Sequence, residues 1–321
     1  MNKKHLIWLI LITFFYLAAC SPRINIDFLG QEKLQEVVLV ESGAREKVLV
    51  IEVDGVISSE SGGLFSREGN VVSSVYQRLE KAAADPLVKG VIVRLETPGG
   101  EVTSSDVLYH EIQRFRQKKN VPVVALMLGV AASGGYYVAS ACDTIIAHPT
   151  TLTGSIGVIA VFPEVEGLMN KVGVKTAVVK SGAMKDAGSP FRGMSEEEKH
   201  LFQKIIDEHY EKFLQVVKAR KENGPSLEDL RKIADGRVYT AQQALDLGLI
   251  DKIGYFESAL KEVLTRAGLK EARAVAYTYY PKKQNNLYAS SFLSPDSLTK
   301  ALEQLLPALK TGFYYLWLPG W

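Results

Sequence analysis

Cysteine is scarce in this sequence: only Cys20 and Cys142 occur among its 321 residues. Two cysteines exclude the disulfide framework that stabilises many small secreted domains. If Cys20 is modified at the N-terminus, Cys142 is the one remaining thiol. Neither an intramolecular disulfide nor a cysteine-based metal site can then form. Cys142 stands among small residues in a helical stretch and is predicted to be a small residue of the core.

The sequence also lacks an excess of charge of either sign, with 38 basic and 36 acidic residues and a net charge of +2. No basic block occurs beyond the short start that contains Lys3 and Lys4. Because nucleic-acid binding needs a broad basic surface, no nucleic-acid partner is expected. The fractions of hydrophobic residues, 47%, and charged residues, 23%, are typical of globular proteins. The length suits one large α/β domain or two small ones.

The N-terminal apolar run is too short for a permanent membrane span. Residues 6–19 would cover about 21 Å as a helix, against about 30 Å of hydrocarbon in a bilayer. The run follows a basic start and ends in Leu17–Cys20, which resembles the lipobox of bacterial lipoproteins, where the cysteine is lipid-modified and becomes the new N-terminus. Residues 1–20 are therefore predicted to be a lipoprotein signal, with lipid attached at Cys20. The alternative is an uncleaved anchor with an incidental cysteine. Both interpretations predict an exported chain tethered to a membrane.

Beyond a polar tether, strands and helices alternate along the chain. Apolar runs predict strands at residues 37–40, 48–51, 90–95, 121–128, 144–146 and 172–179. Helical spacing and capping residues predict helices at 72–84, 104–118, from about 133, at 195–221, and three shorter ones after 226, 240 and 251. Residues 58–70 and 180–193 are predicted to be loops. The β-α-β-α-β order with nearly continuous apolar strands predicts an α/β fold with a mostly parallel sheet covered by helices on both faces.

Two groups of small residues follow the ends of predicted strands, where parallel sheets place their ligand sites. The first is Pro98-Gly99-Gly100, whose glycines can direct backbone N–H groups at a ligand oxygen, as an oxyanion hole requires. Its alternative is an ordinary Pro-Gly turn. The second is Ser133-Gly134, at the expected start of a helix. Its alternative is a serine that only caps that helix.

A serine hydroxyl becomes a nucleophile when a neighbouring base takes its proton. Of the five histidines, His148 is the one serious candidate, and no Gly-x-Ser-x-Gly elbow surrounds Ser133. Lysine can also serve as a general base where burial disfavours its charged form. Lys185 follows apolar residues in a glycine-rich loop that could fold over a cleft. The alternative is a solvated lysine paired with Asp186.

Five short motifs occur in one order along the chain. They are Thr97–Gly100, Ala132–Tyr137, Leu152–Gly157, Ser181–Arg192, and Asp235–Thr240 followed by Ala244–Asp251. Each is modest alone, but the ordered set resembles the signal peptide peptidases of the SppA type, the serine-lysine peptidases of family S49 in the ClpP/crotonase superfamily. The resemblance covers roughly residues 45 to 265.

The resemblance implies a role for five residues. Ser133 matches the nucleophile of the family, and Lys185 matches its general base. Ser155 matches the serine that orients this lysine, although by itself it would be only a turn residue. Gly100 and the amide of Gly134 match the oxyanion hole. Glu96-Thr97 stands where the family often has Asn-Ser, but oxyanion donation uses the backbone, so catalysis is expected to survive.

The resemblance also implies a ClpP/crotonase-like fold that requires no metal and no nucleotide. Relatives of this short, single-domain form bring serine and lysine together across a subunit boundary, so a homo-oligomer with shared sites is expected. Cleaved signal peptides or other membrane-associated peptides would be the substrates, met in the bacterial cell envelope outside the cytoplasm. Two rivals are a crotonase-like acyl-CoA enzyme and a non-catalytic lipoprotein scaffold.

The predicted organisation has four parts. Residues 1–20 are the signal segment, 21–44 a tether with the first strand, 45–268 the peptidase domain, and 269–321 a C-terminal extension. The extension is predicted to hold an amphipathic helix and an aromatic tail, and the tail could pack on the domain, on another subunit or on lipid.

Overall fold

The computed structural model describes residues 34–59, 70–220, 224–279 and 311–317. Residues 1–20, with the predicted lipidation site Cys20, and the predicted amphipathic part of the C-terminal extension lie outside these residues. The strands are β1 Gln35–Val40, β2 Lys47–Asp54, β3 Val88–Thr97, β4 Gly99–Glu101, β5 Val123–Ala132, β6 Thr144–Ala147, β7 Leu152–Gly154, β8 Ile159–Val161, β9 Val238–Thr240, β10 Lys252–Ile253, β11 Arg273–Thr278 and β12 Gly312–Leu316. The helices are α1 Val71–Ala84, α2 Val102–Lys119, α3 Gly134–Ala139, α4 Glu166–Val172, α5 Glu196–Ala219, α6 Leu227–Ile233, α7 Ala241–Asp246 and α8 Phe256–Ala267, with a 3-10 turn at Ala183–Asp186.

Nine strands form the central sheet, in the order β1-β11-β2-β3-β5-β6-β10, with β7 paired to β5 and β9 paired to β7. All neighbours are parallel except β1 with β11 and β9 with β7. The predicted α/β class with a mostly parallel sheet is confirmed.

The central strands carry apolar residues on both faces because both faces of the sheet are covered. Alternate residues of β2 point to opposite faces, so Leu49 and Ile51 join the core beneath α1 and α2. Val48 and Val50 join the core beneath α8. Cys142 belongs to the first of these cores, as predicted, and is a free, buried thiol.

The capping residues predicted to begin two of the helices are confirmed. The side chain of Ser195 accepts a hydrogen bond from the backbone N–H of Glu198, whose carboxylate accepts one in return, and α5 begins there. Thr240 and Gln243 form the same reciprocal pair at the start of α7. None of the described helices combines the length and the apolarity that crossing a membrane requires.

The predicted strand at residues 172–179 is wrong. Helix α4 ends at Val172, Gly173 adopts a left-handed conformation with a φ of 75°, and residues 174–180 belong to no helix or strand. The side chains of Val174, Val178 and Val179 are exposed. An apolar run predicts burial, but it does not reveal whether the edge of a neighbouring strand is within reach.

The aromatic tail packs on its own domain. Strand β12 is the middle strand of a second, three-stranded sheet, β4-β12-β8, and is antiparallel to both neighbours. The tail was predicted to pack on the domain, on another subunit or on lipid, and for residues 312–316 the structure shows packing on the domain.

Candidate active site

Ser133 lies at the turn between β5 and α3, in a strained backbone conformation. Its φ is 53° and its ψ is −114°, values that cost a residue with a side chain about 1–3 kcal/mol. Two backbone hydrogen bonds hold the turn: the N–H of Ser133 donates to the carbonyl of Gly154, and the N–H of Tyr137 donates to the carbonyl of Ser133. The sharp strand-to-helix turn thus forms here without the Gly-x-Ser-x-Gly sequence usual for it.

The side chain of Ser133 does not cap the helix. Ser133 occupies the N-cap position of α3, but its hydroxyl makes no capping hydrogen bond. It makes no other hydrogen bond within the described residues, although only 1% of the residue is exposed. The simple capping alternative is therefore not what the structure shows. The hydroxyl remains available for chemistry.

Gly100 and Gly134 lie side by side, as the sequence predicted. A methyl group added to Gly134 would lie 3.2 Å from the Gly100 nitrogen and 2.5 Å from Oγ of Ser105. One added to Gly100 would lie only 1.9 Å from the carbonyl oxygen of Ile57. Both positions require glycine because neighbouring atoms approach the backbone too closely for any side chain.

The amide of Gly100 points away from Ile57. The N–H of Ile57 donates to the carbonyl of Gly99, and the N–H of Glu101 donates to the carbonyl of Ile57. Since backbone groups alternate along an extended strand, the N–H of Gly100 faces the opposite side, where β12 lies. The buried Thr97 supports this strand, because its hydroxyl accepts a hydrogen bond from the N–H of Gly99 at 3.0 Å.

Ser155 adjoins Ser133 through the pairing of β5 with β7. Ala132 is in register with Gly154, so the residue that follows each strand lies at the same edge. Ser155 has a φ of 48° and is 6% exposed, and its N–H donates to the carbonyl of Arg237 at 2.8 Å. The structure thus brings together four of the five predicted site residues.

Lys185 is the fifth, and it stands apart. It lies on the 3-10 turn, with an exposed side chain that forms no hydrogen bond or ion pair within the described residues. No hydrogen bond joins it to Ser133 or Ser155 in the single chain. The alternative in which Asp186 pairs with Lys185 is not what the structure shows, because that carboxylate binds Lys180 and Arg192.

A charged network, which the sequence did not reveal, ties down the turn that carries Lys185. The guanidinium of Arg192 lies 3.0 Å from an Asp186 oxygen and 2.5 Å from a Glu198 oxygen, and Lys180 binds Asp186 from the other side. The hydrogen bonds from Arg192 lower the pKa of Asp186 and lower that of Glu198 to about 2. The capping pattern in the sequence predicted the role of Glu198 at the start of α5. It did not indicate that this carboxylate, whose side chain is 2% exposed, also forms an ion pair with Arg192.

His148 has partners elsewhere. Its backbone N–H donates to the carbonyl of Met127, six residues before Ser133 on β5. Nδ1 of its ring lies 2.8 Å from the hydroxyl of Thr150, and the ring packs edge-on against Tyr255 at 4.8 Å between centroids. The structure gives no support to a triad through His148. Within the described residues, no group of His, Cys, Asp and Glu side chains is arranged to hold a metal ion.

Comparison with known proteins identifies relatives. A profile of peptidase family S49 matches residues 115–270. A protein of Enterococcus faecium, provisionally named signal peptide peptidase SppA, is 36% identical over 271 residues, which are 84% of this chain and 77% of that protein. Protease 4 of Haemophilus influenzae is 31% identical over 261 residues, which are 81% of this chain and 41% of that protein. Among solved structures, the membrane-bound stomatin-specific protease 1510-N aligns with a TM-score of 0.41 and 17% identity, covering 68% of this chain and 85% of that one.

Proposed function

The chain belongs to peptidase family S49 and is a serine-type peptidase, and we propose that it is a membrane-tethered endopeptidase in which Ser133 is the nucleophile and Lys185 the general base. The observation that carries the assignment of Ser133 is its backbone geometry. A serine held in a strained turn, with a free hydroxyl and two glycine amides beside it, is positioned to attack a carbonyl carbon.

The reaction follows from these positions. Oγ of Ser133 attacks the carbonyl carbon of the scissile bond, while Lys185 takes the hydroxyl proton and later donates it to the leaving amine. Negative charge develops on the carbonyl oxygen. The amides of Gly100 and Gly134 stabilise this charge, and no reorganisation is needed because both amides belong to the rigid backbone. Ser155, at the same sheet edge as Ser133, orients the lysine.

We propose that a neighbouring subunit supplies the lysine. Two observations support this. The side chain of Lys185 is exposed and unpaired within the described residues, and no hydrogen bond joins it to Ser133 in the single chain. So do the exposed apolar side chains on the segment before it, which are Leu168, Val172, Val174, Val178 and Val179. Packing of this segment against another copy would bury these side chains and bring the ammonium out of water, which favours the neutral form that a general base needs.

The substrates we propose are cleaved signal peptides or other membrane-associated peptides in the bacterial envelope. The name of the Enterococcus relative supports this class, and so does the lipobox-like end of the N-terminal segment at Cys20. Lipid attached at Cys20 would hold the catalytic domain at a membrane surface, where such peptides remain after export.

Labelling with a fluorophosphonate tests the nucleophile. The wild-type chain should be labelled at Ser133, as located by peptide mass mapping, and Ser133→Ala should not be labelled although it folds and assembles. Lys185→Met should lose hydrolysis, while the control Lys261→Met, an exposed lysine of helix α8 outside that segment, should keep it. A wild-type chain that is neither labelled nor active would favour the scaffold alternative. Full activity in Lys185→Met would remove the lysine from the mechanism.

A further inference from the structure

A short segment, residues 57–59, lies along the edge of β4 that faces away from the Gly100 amide. The N–H of Ile57 donates to the carbonyl of Gly99, and the N–H of Glu101 donates to the carbonyl of Ile57, both at 2.8 Å. Ile57 forms an isolated parallel bridge with Gly100 and is completely buried. The peptide groups around Gly100 are therefore held from behind by this segment.

The carboxylate of Glu101 fastens the segment to the strand. It accepts hydrogen bonds from the hydroxyl of Ser58 at 2.8 Å, and from the backbone N–H and the hydroxyl of Ser59 at 3.0 and 3.1 Å. The hydroxyl of Ser104, in the first turn of α2, donates to the same carboxylate at 2.5 Å. One side chain thus accepts four hydrogen bonds and joins residues 57–59, β4 and α2.

The charge of Glu101 strengthens this clamp. Burial raises the pKa of the carboxyl, but the hydrogen bonds from the three serines lower the pKa by more, so it lies below its ordinary value. Glu101 is also the N-cap residue of the 18-residue helix α2, whose N-terminus favours a negative charge. Hydrogen bonds to an ionised acceptor are roughly twice as strong as those between neutral groups. The carboxylate is therefore ionised and fully bonded at the neutral to alkaline pH at which a lysine base works.

The backbone of Glu101 is linked to the second candidate donor as well. Its carbonyl accepts a hydrogen bond from the hydroxyl of Ser105 at 2.9 Å, and Ser105 is completely buried. Oγ of Ser105 lies 2.5 Å from the position that a methyl group on Gly134 would take, so α2 packs directly on the first residue of α3. A displacement of Glu101 therefore affects the backbone beside both amides, those of Gly100 and Gly134.

We propose that Glu101 is a positioning residue for the oxyanion hole, whose carboxylate clamps residues 57–59 against β4 and fixes the direction of the Gly100 amide. The proposal rests on the proposed function, and it deepens that function by naming what holds the oxyanion hole in place. Glu101 acts through the backbone and not by contact with the reacting atoms. Its loss misaligns a donor, and alignment matters most in the transition state, where the carbonyl oxygen carries the charge.

Steady-state kinetics of the full chain test this role. Glu101→Ala should lower kcat by about 10-fold to 10²-fold, which is less than the loss of a whole donor, and change KM by less than about twofold. Glu101→Gln keeps the size and one acceptor oxygen, so it should recover part of the loss. Glu262→Ala is the matched control, because that carboxylate also accepts several hydrogen bonds, from Thr144, Lys252 and Arg266, but lies in α8 against the other face of the sheet. It should destabilise the fold and leave kcat unchanged.

A peptide aldehyde separates misalignment of the oxyanion hole from a general loosening of the fold. Oγ of Ser133 adds to the aldehyde carbon, its proton passes to the general base, and the former carbonyl oxygen takes the negative charge that the two amides stabilise. The probes are acetyl-Leu-Leu-leucinal and the corresponding alcohol, which cannot form this adduct. Glu101→Ala should raise the Ki of the aldehyde by the factor by which it lowers kcat/KM, and it should change the Ki of the alcohol by less than about twofold.

Equal losses of affinity for the aldehyde and the alcohol, or a wild-type kcat in Glu101→Ala, would overturn the proposal. If Glu101→Ala does not fold, as judged by circular dichroism, Glu101→Gln and Ser104→Ala decide by the same two measurements, because each weakens the clamp and leaves the backbone of β4 unchanged. An active wild-type chain with unaffected Glu101 variants removes only the role of Glu101. A wild-type chain that neither cleaves peptides nor binds the aldehyde overturns the proposed function itself.

Discussion

The backbone N–H of Ser133 donates a hydrogen bond to the carbonyl of Gly154 at 2.8 Å. This contact joins the turn that carries the candidate nucleophile to the turn that carries Ser155, on the neighbouring strand of the same sheet. Both serines have a positive φ, 53° and 48°, and the hydrogen bond to Gly154 helps to hold Ser133 in its strained conformation.

Gly154→Ala should impair both stability and activity. Gly154 has a φ of +83°, and an added methyl group would lie 2.6 Å from a ring carbon of Tyr239. We expect a loss of about 1–3 kcal/mol in the free energy of unfolding, measured by urea denaturation, and a lower kcat because the turn before Ser155 shifts. Gly43→Ala is the matched control, since its φ is not positive and an added methyl group would lie 3.5 Å from a carboxylate oxygen of Glu271, an ordinary contact. It should leave activity unchanged, and equal effects of the two substitutions would refute the coupling.

Ser133→Gly should be more stable than Ser133→Ala, although we expect both variants to be inactive. Glycine adopts a positive φ without steric cost, so removing the side chain releases the strain that alanine retains. We expect a difference of about 1 kcal/mol in the free energy of unfolding. Both variants should lose at least about 10³-fold in kcat/KM, because neither has a nucleophile. A glycine variant less stable than the alanine variant would show that the turn is not strained.

Two inactive variants should restore activity when mixed, if sites are shared between subunits. Ser133→Ala supplies an intact Lys185, and Lys185→Ala supplies an intact Ser133. In an equal mixture that is unfolded and reassembled together, roughly one quarter of the sites should contain both groups, and kcat should return to about that fraction of wild type. Each variant reassembled alone should stay inactive. No recovery in co-assembled oligomers would place both groups in one chain.

Arg192→Leu should lower activity without preventing labelling of Ser133, because Arg192 positions the turn that carries Lys185 rather than the nucleophile. It should also change the pH dependence of stability. The pKa of Glu198 in the folded state is about 2, against an ordinary value of 4.5. A lowered pKa means that the folded state holds fewer protons, so this contribution to stability is complete above about pH 4.5 and is lost as the pH falls towards 2.

Thermal unfolding measured from pH 6 to pH 2.5 tests the direction of this pH dependence of stability. The variant should show a shallower loss of Tm in acid than the wild-type chain. Arg237→Leu is the matched control, since its ion pair with Asp235 is exposed on both sides and contributes little to stability. If Arg237→Leu flattened the acid dependence as much as Arg192→Leu, the role assigned to the Glu198 network would be wrong.

Much of the fold and of the site could be predicted from the sequence, because the relevant signals are local. Continuous apolar strands alternating with amphipathic helices determine a parallel sheet covered on both faces. The capping residues Ser195 and Thr240 determine where two helices begin. Small residues after strand ends determine that Ser133 and Gly100 share one edge of the sheet.

Only the tertiary structure decided the rest, because it depends on which distant edges and side chains meet. The run at residues 172–179 is as apolar as a strand but finds no strand partner among the described residues, whereas the tail at residues 312–316 finds two. Arg192 reaches Asp186 and Glu198 only because the turn folds back on the start of α5. The role proposed for Ser133 came from the resemblance of five short motifs to family S49, because its neighbours in the chain fit a capping serine as well. The pairing of Tyr315 with Gly100, next to Ser133, could not be predicted at all, because strand pairing across more than two hundred residues leaves no local pattern.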